Sequence, residues 1–320
     1  MKNLKFNWDV SNLSDYVDQN SLDLISRAIL ADPTSKYVTI DADVKSAKDI
    51  HTIESDPLGV QEGTAGFSAS GTTDIARVTL SVDKLKINQI LDPYALESKF
   101  TQMALKPGSI LDEVPFEQAL SDEKSKQVSK TIALQVWQGN KTGAVGDYQL
   151  NDGFITDMAL DGTRIQAANA NAATWNETNI IAAVQAMIKA LDPEVLGEDD
   201  LVMFMSPAFY RTLSNALFAG NYFHVNSDVT VAGEFMFPGT NVKIVRTFGL
   251  SNSNTHADAT TAGDCVILGS AKFLHWGTDL LSDYSTFRLF YSSDNDDVRF
   301  IARYKIGVAH LFGSSFVTNF

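Results

Sequence analysis

The chain has 320 residues, with 25 basic and 39 acidic side chains and a formal net charge of −14. This acidic balance excludes a protein that wraps nucleic acid through counterion release, which needs a basic surface. Apolar residues make up 44% of the sequence, which excludes a disordered chain. No run of about 18 apolar residues could cross a bilayer as a helix. Asp9 and Asp15 also interrupt the stretch where a signal peptide would need an apolar core.

Residues 1–51 predict an extended N-terminal arm. The first twenty residues are mixed and polar, so we expect them to need a partner surface, and their scattered aromatic side chains include Phe6, Trp8 and Tyr16. A short helix over residues 22–30, capped by Ser21, would anchor the arm. Short strands are predicted at residues 37–40 and 50–53.

The stretch 52–86 predicts a long two-stranded hairpin with its tip near residues 68–71. Glycine residues interrupt the polar first half, and the second half alternates apolar and polar residues at Val78, Leu80 and Val82. Few large apolar residues line the first strand, so the hairpin cannot cover itself. We expect it to lean on another molecule or on a distant part of its own chain.

Residues 116–138 predict one long helix that follows a shorter helix over residues 93–106, capped by Asp92. No Gly or Pro interrupts it, and its length of roughly 35 Å would cross a whole domain. Apolar residues lie at both ends, and residues 121–127 are polar all round, which predicts a strut with a solvent-exposed centre. Gly139 stands where a left-handed cap is expected, and Trp137 where the strut meets a sheet. Residues 139–155 predict a glycine-spaced loop that returns to a strand.

The second half of the chain predicts an α/β layer followed by strands. An apolar stripe marks a helix over residues 180–191, and the uninterrupted apolar run 201–205 predicts a central strand. Ser206 caps a further helix, and short strands follow at residues 229–237, 242–245 and 265–268. The last forty residues predict strands at residues 284–291, 298–304 and 306–320, so that the chain ends inside its sheet.

No catalytic, cofactor or metal site emerges from the sequence. The stretch 139–142 lacks the spacing of a phosphate-binding loop, and residues 66–71 lack that of a nucleophile elbow. The five histidines do not have zinc-site spacing, and the acidic residues 294–297 are typical of a turn between strands more than of a calcium site. Cys265, the one cysteine, lies in a buried-strand pattern and predicts an inert thiol. The combination of these parts without an active site predicts a protein that contacts copies of itself.

The order of these parts resembles the major capsid proteins of tailed bacteriophages, which have the α+β Hong Kong 97 fold, over nearly the whole chain. The end of the family's spine helix is similar to IALQVWQGNKTGAVGDYQLNDGFI. The axial strand-to-helix segment is similar to LVMFMSPAFYRTLSNAL. The closing hairpin and final strand resemble FRLFYSSDNDDVRFIARYKIGVAHLFGSSFVTNF.

The resemblance implies five parts in chain order. These are an N-terminal arm (1–51), an extended loop (52–86), a peripheral domain (87–155) with the spine helix at 116–138, an axial domain (156–280) and closing strands of the peripheral domain (281–320). The chain begins within about fifty residues of the loop, so we expect a separate scaffolding protein or a mature form. Lys84 and Lys86 lie on the rear strand of the loop, so the lysine cross-link of some family members is not expected here.

The resemblance also implies which residues meet other subunits and which pack the spine. Contacts of the extended loop with the adjacent subunit are expected at Gly63, Phe67, Ser68, Gly71 and Thr72. Contacts near local three-fold axes are expected at Ser292, Asp294, Asn295, Asp296 and Asp297. The arm would contribute Phe6, Trp8 and Tyr16, and the spine helix would pack through Phe116, Ile132, Val136 and Trp137.

The function implied by the resemblance is a structural shell subunit and not an enzyme. It would assemble with itself into hexamers and pentamers of a phage head, enclose double-stranded DNA without sequence-specific binding, and bind no cofactor. Its partners would be a scaffolding protein, a portal protein and possible decoration proteins, with no membrane. The virion would be assembled in the host cytoplasm. The alternatives are a nanocompartment shell that encloses a cargo enzyme, a tail or baseplate component, and a hydrolase of unrecognised type.

Overall fold

The computed structural model describes residues 24–25, 28–55, 59–60, 62–63, 66, 69–91, 116–142, 146–167, 175–220, 234–251, 264–279, 286–292 and 297–320. Several predictions fall outside these ranges. They concern the helix at residues 93–106, the arm residues Phe6, Trp8 and Tyr16, the extended-loop residues Phe67 and Ser68, and the three-fold-loop residues Asp294, Asn295 and Asp296.

Thirteen strands and five α-helices have both ends within the described residues, and residues 24–25 and 28–30 are also helical. The first four strands are β1 (Thr39–Asp41), β2 (Ala47–Ser55), β3 (Thr73–Ser81) and β4 (Asp83–Leu91). The middle of the chain contains α1 (Phe116–Gln138), α2 (Phe154–Leu160), β5 (Ile165–Gln166), α3 (Ile180–Ala190), α4 (Pro193–Leu196), β6 (Leu201–Met205), α5 (Pro207–Ala219), β7 (Glu234–Met236) and β8 (Lys243–Arg246). The last strands are β9 (Val266–Ser270), β10 (Leu274–Gly277), β11 (Thr286–Ser292), β12 (Asp297–His310) and β13 (Phe316–Thr318).

These strands form three sheets. A five-stranded sheet has the order β1-β10-β12-β11, with β4 also paired to β12, and a six-stranded sheet has the order β5-β13-β9-β6-β8-β7. The third sheet contains only β2 and β3. We call this two-stranded sheet the ribbon. The long helix α1 packs between the two larger sheets, in a core shared by Trp137, Phe204 and Tyr304.

The predicted long helix is confirmed with the predicted bounds, but its centre is not exposed all round. Ser121 and Ser125 are buried on the same face as Val128 and Ile132. The Ser125 Oγ donates a hydrogen bond to the Leu24 carbonyl at 3.1 Å. These small side chains let the described part of the predicted arm helix, residues 24–25 and 28–30, lie directly on α1. Polar composition therefore misled the prediction, because serine can line a close helix contact.

Gly139 ends α1 for a different reason from the predicted left-handed cap. Among the described glycines only Gly71 and Gly239 have a positive φ. At Gly139 a Cβ would come within 2.4 Å of the Asn151 carbonyl oxygen, so glycine is needed for close approach of the following segment. That segment forms helix α2 and not the predicted strand, and Phe154 of α2 is fully buried.

The α/β layer agrees with the sequence pattern. Strand β6 is buried along its whole length and lies between β8 and β9, as expected of a central strand. Helices α3 and α5 share a second core with one face of the six-stranded sheet, through residues that include Val184, Met187 and Leu213. The Ser206 Oγ accepts the Phe209 N–H at 3.2 Å and caps α5 as predicted.

The end of the chain differs from the single closing strand that the sequence predicted. Strand β12 stops at His310, Phe312 adopts a left-handed φ of 53°, and a short turn leads into β13. Strand β13 then pairs with β5 and β9 in the six-stranded sheet, so residues 316–318 do not belong with β11 and β12. The apolar pattern of the last fifteen residues is continuous across this turn, which is why the pattern alone did not reveal the change of sheet.

The hairpin is present but shifted along the chain. Its strands are β2 and β3, in register from Ala47 opposite Ser81 to Ser55 opposite Thr73. The described residues of the predicted first strand, between 59 and 66, lie outside any strand. Residues 83–86, which we expected in the extended loop, form the start of β4 and pair with β12. The polar strand β2 was therefore missed as the partner of β3.

Candidate self-assembly surfaces

Among the described residues, the ribbon packs against the five-stranded sheet at its root. Leu80, Val44 and Ala309 form a small buried cluster there. Glycine is required on the sheet side, because a Cβ on Gly307 would lie 1.9 Å from the Ser81 carbonyl oxygen. The root is therefore closely packed.

Charged groups join the root to the sheet. The Lys305 Nζ forms a buried ion pair with Asp279 and donates to the Lys45 carbonyl at 3.1 Å. Asp41 pairs with Lys48 and with the His275 Nδ1, the latter at 2.9 Å. Burial alone would raise the pKa of Asp41, but the hydrogen bonds and charges of Lys48 and His275 lower it overall. The root is thus held by ion pairs as well as by apolar packing.

The outer half of the ribbon carries apolar side chains without cover from the rest of the described chain. Ile53 and Ile75 face each other across the two strands and are 66% and 71% exposed. Glu54 and Asp74 form the next cross-strand pair, which points to the opposite face of the ribbon. Residues 47–81 contain five carboxylates and two cationic side chains. The ribbon end is therefore an acidic projection with an exposed apolar pair.

The outward face of β4, β11 and β12 carries cationic side chains, in contrast to the acidic ribbon end. In register across these strands, Arg303 lies opposite Lys86, Ile301 opposite Arg288, and Arg299 opposite both Ile90 and Phe290. Directly opposed residues point to the same side of a sheet. We call this surface the receiving face and define it by Lys84, Lys86, Ile90, Arg288, Phe290, Arg299, Ile301 and Arg303.

The receiving face is concave and carries mixed apolar and cationic groups. A groove of about 620 Å³ runs along it, lined in part by Lys86, Ile90, Phe290 and Arg299. The Asp297 Oδ1 accepts a hydrogen bond from the Arg299 Nε at 3.0 Å and offsets one of these charges. No local sequence pattern predicts this face, because its cations lie on β4 and on the consecutive strands β11 and β12, about two hundred residues further along the chain. The alternation of Lys84 with Lys86 and of Arg299 with Arg303 was the available signal.

The predicted contact residues fall into three groups. Gly63, Gly71 and Thr72 are described and exposed, and Gly71 has a φ of 80°. Ser292 and Asp297 lie opposite each other where β11 ends and β12 begins. Ile132, Val136 and Trp137 are buried in the core as expected, whereas Phe116 belongs to α1 but its side chain lies outside the described part.

Cys265 and the stretch 139–142, for which the sequence predicts no site, make contacts that stabilise the fold. The Cys265 thiol is buried, and burial raises its pKa to about 12. In the stretch 139–142, the Asn140 Oδ1 accepts the Thr142 N–H at 3.0 Å, and Lys141 pairs with Asp83 at 2.8 Å. No helix in the described ranges is long and apolar enough to cross a membrane.

The chain is similar to known proteins in its structure. No protein-family model matches the sequence, and no curated protein matches it either. A chain of Mycobacterium phage Ogopogo superposes with a TM-score of 0.58 and 13% identity, covering 89% of this chain and 90% of that one. A chain of the satellite phage P4 procapsid, a structure that includes the size determination (Sid) protein, superposes with a TM-score of 0.57 and 11% identity. The match covers 92% of this chain and 96% of that one. A chain of the capsid of an empty GTA particle superposes with a TM-score of 0.53 and 13% identity. The match covers 91% of this chain and 88% of that one.

These similarities extend over nearly the whole of each chain. The chain therefore has the fold of phage capsid proteins, as the resemblance of its sequence to the tailed-phage major capsid proteins predicted. Sequence identity of 11–13% is consistent with the absence of a matching family model or curated protein.

Proposed function

We propose that the chain is the major capsid protein of a tailed bacteriophage. Copies of it would assemble into hexamers and pentamers that close around double-stranded DNA. The observation that carries this proposal is the ribbon, whose outer half exposes the Ile53 and Ile75 pair and whose described residues pack against their own subunit at the root. A projection of this kind gains apolar burial only when another molecule covers it.

The receiving face of a second copy has the chemistry to cover the ribbon. The ribbon end presents the apolar pair on one face and Glu54 and Asp74 on the other. The receiving face presents Ile90 and Phe290 among arginine and lysine side chains. Apolar burial would supply most of the affinity, and the opposed charges would set orientation and speed of association. The receiving face belongs to each subunit, so every copy could both give and accept a ribbon.

The remaining contacts of the shell follow the family pattern. The arm, with Phe6, Trp8 and Tyr16, would reach under another subunit. The loop from Ser292 to Asp297 would meet neighbours near local three-fold axes. The long helix α1 would transmit a rotation of the domains when the shell expands.

A first test replaces the exposed apolar pair by Ile53→Ser and Ile75→Ser together. Because both side chains are mostly exposed in the subunit, the free energy of unfolding should change by only about 0.5 kcal/mol. Assembly should be lost, because the variant removes the apolar anchor of the ribbon. Electron microscopy of the purified chain, alone and with its scaffolding protein, would measure particle formation.

Leu160→Ser is the matched control, because Leu160 is 79% exposed on α2 and distant in sequence from the ribbon. Particles are expected with this control. Normal particles from the Ile53→Ser, Ile75→Ser variant would contradict the role of the ribbon. A wild-type chain that stays monomeric under all assembly conditions would overturn the capsid proposal itself.

A second test exchanges charge between the ribbon and the receiving face. Glu54→Lys with Asp74→Lys, or Lys86→Glu with Arg303→Glu, should each weaken assembly, since the ribbon end and the receiving face would then carry the same sign of charge. Combining all four substitutions restores opposite charges across the proposed contact and should restore assembly. Light scattering at several salt concentrations would follow the effect, which screening should reduce. Failure of the fourfold variant to recover, with both parents folded, would exclude this pairing.

The proposal includes partners outside the chain. A portal protein, a separate scaffolding protein and decoration proteins would contact the shell, which would be assembled in the host cytoplasm and become part of the virion. DNA would be enclosed without sequence-specific binding. The acidic balance of the chain fits a container that does not grip packed DNA.

A nanocompartment shell is the second candidate. A virus-like particle from Pyrococcus furiosus superposes with a TM-score of 0.50 and 11% identity, covering 95% of this chain and 99% of that one. The contents of purified particles separate the two candidates, because a phage head would hold DNA and a nanocompartment would hold a cargo protein. A tail or baseplate component would form a ring or tube in place of a closed shell.

A further inference from the structure

His310 is held between two carboxylates where the chain leaves the five-stranded sheet. It is the last residue of β12, and its side chain is only 9% exposed. Its Nδ1 lies 2.7 Å from the Asp157 Oδ2, and its Nε2 lies 2.8 Å from the Asp161 Oδ2. The backbone N–H of His310 also donates to the Asp157 Oδ2 at 3.0 Å. Both ring nitrogens therefore face acceptors on or next to helix α2.

This cluster lies where two segments pass into the six-stranded sheet. Residues 161–164 lead from α2 into β5, and residues 311–315 lead from β12 into β13, whose Val317 pairs with Ile165. The segments touch so closely that a Cβ on Gly313 would lie 1.9 Å from the Asp161 Oδ2. We call these two segments the joint, because they connect the six-stranded sheet to α2 and β12.

The protonation state of His310 decides how many of these contacts can form. A neutral imidazole donates through one nitrogen only, whereas an imidazolium donates through both. Burial of the ring lowers the pKa of His310, but the hydrogen bonds and charges of Asp157 and Asp161 outweigh burial and raise the pKa above its ordinary value. Burial raises the pKa of Asp161, and His310 with Thr163 lowers it overall.

The other described neighbours do not replace this cation. Arg164 interacts with Asp161, but its Nη1 donates to the Thr318 Oγ1 at 2.8 Å and to the Phe320 carbonyl at 2.5 Å. The aromatic ring of Phe316 lies edge-on to the His310 ring at 6.2 Å and carries no charge. Asp157 and Asp161 approach opposite nitrogens of the ring, so they do not converge on a common metal position.

We propose that His310 is a proton-dependent latch, closed when its imidazole carries two protons and holds both carboxylates, and released when one proton is lost. Release leaves one of the two carboxylates facing an imidazole lone pair. It also removes the positive charge that separates Asp157 from Asp161. The joint would then loosen, and the six-stranded sheet could change its angle to α2 and β12. This inference concerns the single chain and does not depend on the capsid assignment.

The direction of the pH effect follows from linkage. The pKa of His310 is higher in the closed joint than in an opened one, where solvent would return it to about 6.5. The latch is therefore fully effective below about pH 6.5 and is lost as pH rises through the closed-state pKa. When the pH rises from below the open-state pKa to above the closed-state pKa, the equilibrium constant for opening should increase about tenfold for each unit of difference between the two pKa values.

Hydrogen exchange of the purified chain at pH 6 and pH 9 tests the latch. After correction for intrinsic exchange, amides at residues 311–316 and 163–166 should lose protection at the higher pH in the wild-type chain. His310→Gln can contact only part of the site and carries no titrating charge, so its joint should be open to a similar extent at both pH values. The control His51→Gln alters an exposed histidine of the ribbon and should behave as the wild type does.

Direct titration covers the case in which His310→Gln fails to fold. Histidine-selective ¹³C labelling of the wild-type chain would follow the His310 ring, and Asp161→Asn should lower its pKa. A His310 pKa at or below the ordinary value would overturn the latch. Equal pH dependence of joint protection in the wild-type and His310→Gln chains would overturn it as well.

Discussion

Replacing Trp137 by alanine should lower the free energy of unfolding by about 3–5 kcal/mol, the cost typical of truncating a buried aromatic residue. Trp137 is fully buried at the end of α1, and its ring centroid lies 5.1 Å from those of both Phe154 and Phe204. Its Nε1 donates to the Thr34 Oγ1 at 3.0 Å. The substitution would therefore leave a large cavity where helix α1 meets β6 and α2.

Urea denaturation followed by circular dichroism would measure this loss, with Trp137→Phe as the matched control. Phenylalanine keeps most of the ring and removes the Thr34 hydrogen bond, so its cost should be clearly smaller. The segment Phe248–Leu250 also rests on the indole, since a Cβ on Gly249 would lie 2.1 Å from the Trp137 Cδ1. This contact leaves little room for the site to collapse around alanine. Near wild-type stability of Trp137→Ala would show that the surrounding core does not depend on this ring.

Replacing Lys305 by methionine should also cost about 3–5 kcal/mol, because it leaves a buried carboxylate without its cation. The side chains of Lys305 and Asp279 are 7% and 1% exposed and form an ion pair at the ribbon root. Lys305 further donates to the Lys45 carbonyl. The ribbon should therefore lose part of its fixed angle in addition to the loss of stability, which would reduce assembly.

A double-mutant cycle separates the charge effect from packing. Lys305→Met combined with Asp279→Val removes both charges, and replacing a buried pair by apolar residues is often close to neutral. The double variant should therefore be more stable than Lys305→Met alone in urea denaturation. Additive losses from the two single substitutions would show that the pair does not interact energetically.

The sequence predicted best the elements whose pattern is long or uniform. Helix α1 extends over 23 residues without Gly or Pro, and β6 is apolar at every position, so composition alone located both. Strand β2 reads AKDIHTIES and has little apolar alternation, and it becomes a strand because β3 lies beside it. Strands β10 and β13 are only four and three residues long and depend on pairing with distant segments.

The candidate surfaces were predictable to a smaller extent. An uncovered hairpin could be inferred from its polar first half, but its true strands and the exposed Ile53 and Ile75 pair required the register. The receiving face combines β4 with β11 and β12, which lie about two hundred residues further along the chain, and no local pattern connects them. The His310 cluster likewise joins α2 to β12, and a single histidine in an apolar strand gives no sign of two carboxylates around it.

Strand β12 runs without interruption from Asp297 to His310 and contributes to the receiving face, the ribbon root and the joint. An insertion or deletion of one residue inside it would invert the facing of every side chain beyond that point. Arg303 would then point toward α1, or Tyr304 away from it. Natural variants of this protein should therefore keep the length of β12 constant, whereas the connection between Ser55 and Thr73 can gain or lose residues without disturbing any register.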